Sequence, residues 1–430
     1  MKEQHNAFQL MMLGLQHMLA MYAGAILVPL IVGAAIGLNA GQLTYVIAID
    51  LFMCGAATLL QLWKNRYFGI GLPVVLGCTF TAVGPMISIG STYGVSAIYG
   101  AIIASGLMII LAAGFFGKLV RFFPPVVTGS VVMIIGISLI PTAMNNLAGG
   151  EGSKDFGTLE NVLLGFGVTA FILLLVYFFK GFIRSIAILL GLIAGTAAAF
   201  FMGKVDFSDV TEASWLHVPS LFYFGLPTFE LPAVMMMLLV VIVSLVESTG
   251  VYFALADITN RRLSEKDLEK GYRAEGLAIL LGGLFNAFPY TAFSQNVGII
   301  QLSKIKSVNV IAITGIMLMA VGLVPKAAAL TTVIPPPVLG GAMIVMFGMV
   351  ISYGIKMLSS VDFDSQGNLL IIASSVSLGL GVTTVPALFS SLPGAASVLA
   401  GSGIVIGSLT AIVLNAFFQT KQPNGTEIKT

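Results

Sequence analysis

Residues 69–86 read GIGLPVVLGCTFTAVGPM, and residues 288–303 read FPYTAFSQNVGIIQLS. Both stretches are hydrophobic, yet both are too polar and too rich in Gly and Pro for a simple lipid-facing helix. Phe80 in the first corresponds to Phe293 in the second, 213 positions later. A pair of broken hydrophobic segments in equivalent positions is the mark of a midplane binding site in secondary transporters. Irregular backbone at that depth needs protein or a water-filled cavity around it.

A second match supports the same register. Pro124-Pro125-Val126 continues to Gly129 and Gly136, and Pro336-Pro337-Val338 continues to Gly341 and Gly348, 212 positions later throughout. The offset is half the chain.

Composition places both matches in a membrane. Of 430 residues, 57% are hydrophobic and 9% charged, with a mean hydropathy of +1.02. A soluble domain carries about 25% charged residues. The net charge of +2 gives no footprint for DNA or RNA. Forty-nine glycines suit helices packed closely in lipid. No Asp, Glu, Lys or Arg lies between Glu3 and Asp50, between Arg66 and Lys118, or between Asp364 and Lys421. Each run accommodates two or more spans of about 20 residues. The first run lacks a basic leader and a cleavage site, so it reads as a membrane helix rather than a signal peptide.

About 14 hydrophobic segments follow, centred near residues 23, 52, 79, 105, 132, 170, 193, 245, 279, 298, 316, 343, 374 and 408. A cytoplasmic N-terminus places Lys64, Arg66, Lys118, Arg121, Lys180 and Arg184 inside, together with Arg261, Arg262, Lys266, Lys270, Arg273, Lys304, Lys306 and Lys356. Only Lys154, Lys204 and Lys326 then fall outside, as the positive-inside rule expects. With this threading the first Pro-Pro-Val copy runs outward and the second inward, an inverted repeat. The loop 258–273 is expected to hold a short solvated helix opened by Ser264 and Asp267. The tail 419–430 is polar.

An ionisable group at the centre of a membrane helix costs about 2.5–3.5 kcal/mol on insertion scales, so each one invites a reason. Glu247 lies in LLVVIVSLVESTGVYFAL with no basic residue in its segment, and reads as a carboxyl that meets a ligand and exchanges a proton. Glu275 is either a proton-handling carboxyl or an interfacial acid paired with Arg273. His17 either orients a carboxylate or relays a proton, or simply packs with a hydrogen bond, and Gln16 beside it faces another direction. Asp50 either carries protons or, as the favoured reading, bonds a neighbouring helix, and Asp257 is expected to lie at the interface. Gln295 and Asn296 sit in the second broken segment, where two amides suit a planar ligand whose edge alternates N–H and C=O. Phe80 and Phe293 either stack on such a ring or pack in the core. Tyr290, Thr291 and Ser294 add polar groups to the same stretch.

Other chemistry lacks its residues. His5, His17, His217, Cys54 and Cys78 have no metal-ligand spacing, and the cysteines read as small buried residues rather than a disulfide. No phosphate loop occurs, so uphill transport would use an ion gradient. No nucleophile–base pair stands out, and no enzyme activity or cofactor is expected.

The run Gln295-Asn296-Val297-Gly298-Ile299-Ile300-Gln301-Leu302-Ser303-Lys304 resembles the signature of the nucleobase–ascorbate transporter family, also called nucleobase:cation symporter-2. Gln16-His17, and Glu247 followed by Gly250, resemble its other marks, and the likeness leans to the bacterial purine branch. The resemblance implies an all-α polytopic membrane protein. It has about 14 transmembrane segments in two inverted seven-segment repeats, with segments 3 and 10 discontinuous and partly extended. It divides the chain into a core (1–118 and 233–325) and a gate (119–232 and 326–418), followed by a cytoplasmic tail (419–430). By the same carry-over, Glu247 and Gln295 would hydrogen-bond the base and Phe80 would stack on it. Backbone around Ser294 would add contacts, Asn296 would hold the segment, and His17 and Glu275 would support or couple protons. Two positions depart from the pattern. Ser303 replaces the signature threonine but keeps the hydroxyl, and Val251 stands where relatives often carry a polar or acidic group. Gln295, rather than Glu, goes with oxidised purines in the family.

The expectation is therefore a proton-coupled importer of uric acid, with xanthine next, in a bacterial cell membrane with both termini cytoplasmic. Its partners are the purine, protons and lipid, with no nucleic acid, and a homodimer is left open. The rivals are a uracil or other nucleobase symporter, and an anion transporter or channel of similar architecture.

Overall fold

The computed structural model describes residues 7–119, 123–389, 391–392 and 394–419. His5, Arg121 and residues 420–430 of the tail lie outside them. Among the described residues eight helices are long and apolar enough to cross a membrane. The chain is a multi-pass helical membrane protein.

Helices α1 (Ala7–Ala35) and α2 (Ala40–Leu62) come first. Asn39 opens α2 through a capping box with Gln42, which satisfies two of the backbone donors at its start. The chain then extends into β1 (Leu76–Cys78), makes one 3-10 turn at Phe80–Ala82, and continues as α3 (Val83–Tyr93) and α4 (Val95–Leu119). Next come α5 (Pro125–Leu147), α6 (Leu159–Phe178), the single turn α7 (Phe182–Ser185), α8 (Ala187–Phe201) and the short α9 (Ser208–Glu212). Helices α10 (Leu231–Thr259) and α11 (Glu265–Leu284) precede β2 (Tyr290–Ala292), which passes directly into α12 (Ser294–Ser303). The rest is α13 (Val308–Gly322), α14 (Pro325–Thr332), α15 (Pro336–Leu358), α16 (Gln366–Thr384), α17 (Gly394–Ala400) and α18 (Gly403–Gln419). Helices α13 and α14 form a bent pair with an angle of 79°.

The expected loop at 258–273 is corrected. Helix α10 runs to Thr259 and ends on Asn260 in the left-handed conformation, a common helix stop. Ser264 and Asp267 do form a capping box, but it opens α11 itself. The charged residues are the first turns of a continuous helix that goes on to Glu275.

Two compact units emerge, one within residues 7–117 and 139–347, the other within the described parts of 118–138 and 348–419. In the first, α2 and α13 meet backbone to backbone. A Cβ on Gly55 would strike the Gly315 carbonyl and reach Met319 N at 2.9 Å, and one on Gly322 would meet Ala48 O at 2.6 Å. Small residues permit the same approach between α4 and α11 at Gly106. In the second unit α16 packs on α18, and Thr383 donates to Ser138 Oγ at 3.2 Å.

The two strands sit inside the first unit. They pair antiparallel, Leu76 opposite Ala292, Gly77 opposite Thr291 and Cys78 opposite Tyr290. The ladder continues as Phe293 N–H to Val75 O and Thr79 N–H to Pro289 O, both 2.9 Å. Their outer edges are met by hydroxyls from helices. Leu76 N–H donates to Thr58 Oγ1 of α2 at 3.0 Å, and Ala292 N–H to Ser248 Oγ of α10 at 3.0 Å.

Gly55→Ala forces α2 and α13 apart, a clash with backbone that has little room to yield. Overpacking of this kind costs about 1–3 kcal/mol, so the thermal midpoint of the purified protein should fall by several degrees. Gly167→Ala on α6, where a new Cβ meets nothing within 4 Å, should leave it unchanged or slightly raised. Equal midpoints for the two variants would contradict the packing described.

Candidate functional site

Helix α10 organises the site because one of its faces carries Ser244, Glu247 and Ser248, spaced three and four residues apart. Ser244 Oγ pairs with Thr79 Oγ1 at 3.2 Å, just after β1. The Thr81 side chain, in the 3-10 turn that carries Phe80, lies beside the Glu247 carboxyl. Ser248 reaches β2 as described, and Thr291 Oγ1 donates to Ser244 O at 3.4 Å. Helix α10 thus fastens both broken segments and sets a half-buried carboxyl beside the turn that follows β1.

The first turn of α12 is held from α1. Asn296 is buried, and its amide nitrogen donates to His17 O and to His17 Nδ1, each at 3.1 Å. His17 is 1% exposed and accepts through Nδ1, which places its own hydrogen on Nε2. Gln16 turns the other way, donating to Ser185 Oγ at 3.5 Å. The Asn296 carbonyl oxygen is buried and finds no partner among the described residues.

Ser294 and Gln295 are half-buried, and their side chains hydrogen-bond no described residue. Phe293, the residue before α12, supplies no side-chain cap, so the first N–H groups of this helix keep their capacity to donate. Phe80 is 8% exposed and meets Phe347 edge to face at 5.7 Å. Phe293 is buried, its ring laid against Gly77 of β1 and Gly24 of α1, with a Cβ on Gly24 meeting the ring at 2.8 Å. Its surroundings are those of a packing residue.

Glu275 does not pair with Arg273. Arg273 binds Glu269, one turn earlier on α11, at 2.5 Å. Glu275 is fully buried and receives hydrogen bonds from Tyr252 on one oxygen and from Ser248 on the other, the latter at 3.1 Å. Tyr252 in turn accepts from Gln61 Nε2 at 2.8 Å. Asp50 bonds no neighbouring helix as expected; its Oδ1 accepts from Phe288 N–H at 2.7 Å, on the chain leading into β2. Asp257 is exposed near the end of α10. Cys54 and Cys78 are free and buried, their sulfurs 3.9 Å apart. No group of three His, Cys, Asp or Glu among the described residues can hold a metal.

The sequence reading missed Ser244, Ser248, Tyr252, Gln61, Thr79 and Thr81. The signal for the two serines was present, since both stand on the Glu247 face of a helical wheel.

The model of the Permease family matches residues 8–388. The chain belongs to the nucleobase:cation symporter-2 family. As a permease it is a transporter, not an enzyme. It is 92% identical over 430 residues to the uric acid permease PucK of Bacillus subtilis, covering all of both chains. It is 66% identical to the xanthine permease of the same organism, over 94% of this chain and 93% of that one. To the uric acid transporter UacT of Escherichia coli it is 41% identical, over 98% and 88%. Two solved structures share the fold. The transmembrane domain of the cyanobacterial bicarbonate transporter BicA matches with a TM-score of 0.63 at 15% identity, over 96% of this chain and 98% of that one. Murine Slc26a9, an anion transporter in the inward-facing state, matches with a TM-score of 0.65 at 13% identity, over 100% and 72%.

Asn296→Ala removes two buried hydrogen bonds and leaves the His17 acceptors unmet, a loss of about 1–3 kcal/mol. Hydrogen exchange in a peptide covering residues 288–303 of the permease should quicken several-fold. Unchanged exchange there would show that α1 does not hold α12.

Proposed function

We propose that this permease is a proton-coupled importer of oxidised purine bases, uric acid first and xanthine next. The carrying observation is the Gln295 amide, half-buried at the first turn of α12 with no hydrogen-bond partner among the described residues, in a chain 92% identical to a relative named uric acid permease. An amide offers a donor and an acceptor side by side, which matches the alternating N–H and C=O edge of an oxidised purine. Glu247 takes the opposite edge, Phe80 the ring face, and the backbone N–H groups around Ser294 a carbonyl oxygen. Phe293 backs the strand crossing, Asn296 and His17 fix the start of α12, and Glu247 or Glu275 carries the proton.

In this reading the chain crosses the membrane 14 times as two inverted repeats of seven, with both termini cytoplasmic. The core (1–118 and 233–325) moves relative to the gate (119–232 and 326–418) and opens the site to each side in turn. A proton on the carboxyl admits substrate from outside, and its loss inside releases both. Coupling follows if the proton and the purine favour the same conformations. An anion transporter of the BicA or Slc26a9 kind is the rival, but fixed positive charge would suit it, and the residues named here supply a carboxyl and amides instead.

Cells expressing the permease should accumulate labelled uric acid saturably, with competition by xanthine and less by uracil, guanine and hypoxanthine. No uptake above empty-vector cells, with protein in the membrane, would sink the reading. Dissipating the proton gradient should abolish accumulation.

Glu247→Gln should lower uptake at least tenfold, about the effect of one charged hydrogen bond lost. Gln295→Glu removes the amide donors and should weaken uric acid competition by roughly tenfold or more. Wild-type affinity in the second variant would move the substrate elsewhere.

A further inference from the structure

The Ser248 hydroxyl lies between an ionisable group and the strand that leads to the site. It has one hydrogen and three neighbours. Ala292 N–H of β2 donates to it at 3.0 Å, which fixes the oxygen in place. Its own hydrogen then chooses between Glu275 Oε2 at 3.1 Å and Thr291 Oγ1 at 3.2 Å. Tyr252 settles which Glu275 oxygen is free to change. It accepts from Gln61, so its single hydrogen goes to Glu275 Oε1, and a proton arriving at the carboxyl belongs on Oε2.

We propose that Ser248 is a positioning residue that reports the protonation of Glu275 to β2, and through β2 to Ser294 and Gln295. The inference rests on the proton-coupled reading above. With Glu275 ionised, the Ser248 hydrogen points to the carboxylate, the stronger acceptor. With a proton on Oε2, the carboxyl donates to Ser248, and the Ser248 hydrogen turns to Thr291. The Thr291 hydrogen is directed at the Ser244 carbonyl, 3.4 Å away. The protonated state therefore ties β2 to α10 by an added link, three residues before the first turn of α12. The one covalent change is the O–H bond made on Oε2 when the proton arrives and broken when it leaves; every other change is in hydrogen bonds. The titratable groups facing Glu275 are Glu247 and Tyr252 from α10 and Tyr272 from its own helix. Helix α2 contributes Gln61 through Tyr252, and around Gly276 α4 contributes Ile109 and Ile110.

The test is uric acid uptake against external pH for the wild type, Ser248→Ala, Ser248→Thr, Glu275→Gln and the Ser248→Ala/Glu275→Gln double variant. Ser248→Ala should raise KM about tenfold and flatten the pH profile. Ser248→Thr, which keeps the hydroxyl, should restore the profile. In the Glu275→Gln background the alanine should add less than about twofold, because the two residues act as one unit. A wild-type pH profile in Ser248→Ala, or a full tenfold effect added to Glu275→Gln, would overturn the relay and leave the proton reading standing. A pH-independent wild type would overturn both. Should Ser248→Ala not accumulate in the membrane, Thr291→Val removes the other acceptor. The same flattening is expected from it, and an unaltered profile refutes the proposal.

Discussion

Everything in this permease depends on extended backbone at a depth where water is scarce. A hydrocarbon environment accepts no N–H and offers none, so an unpaired peptide group there costs several kcal/mol. Three residues on each side solve this for one another, as β1 and β2 pair edge to edge. Their outer edges would remain unmet without Thr58 and Ser248, whose hydroxyls take the Leu76 and Ala292 amides. Two helices must therefore flank the crossing at fixed register, and α2 and α10 do.

Close approach then becomes a requirement. The strands leave room only if neighbouring backbones come near, and glycine supplies that clearance. Gly77 accepts the Phe293 ring against β1, and any side chain there would occupy the ring's space. Gly24 gives the ring its other wall. The same economy holds α2 on α13, where Gly55, Gly315 and Gly322 let the two backbones come close. Packing at this density lets a displacement of β2 reach α12, since Ala292 and Ser294 are separated by Phe293 alone.

The broken segments were legible because Gly, Pro and polar residues interrupt two hydrophobic runs at matched positions. Gln295 and Asn296 stand out in the second run for the same reason, two adjacent amides in a broken hydrophobic stretch. The fastening of those segments was not. Ser244 and Ser248 are common residues in a membrane helix, and only the fold shows which edge they meet. Charge misled the reading of 258–273, because dense charge suggests a solvated loop whereas here it covers the exposed face of the first turns of α11. Nearness in sequence left a pairing of Glu275 with Arg273 open. Residues two apart on a helix point to different sides, so Arg273 turns to Glu269, four positions away, and Glu275 turns inward.

The likeness to BicA and Slc26a9 at 15% and 13% identity separates what the backbone supplies from what side chains supply. Helices that begin at a strand crossing offer N–H donors, and these suit any anion or carbonyl. Such a frame by itself does not choose a substrate. The residues placed on it would do so, and under the proposed function these are a carboxyl at Glu247 and an amide at Gln295. Uric acid is itself a weak acid, so under the proposed function its anion meets a carboxyl of like charge when both are ionised. That encounter is repulsive at close range unless a proton intervenes. Under the proposed function a carboxyl in the site would make proton uptake a condition of binding, and a frame indifferent to its ligand would move a purine only with a proton.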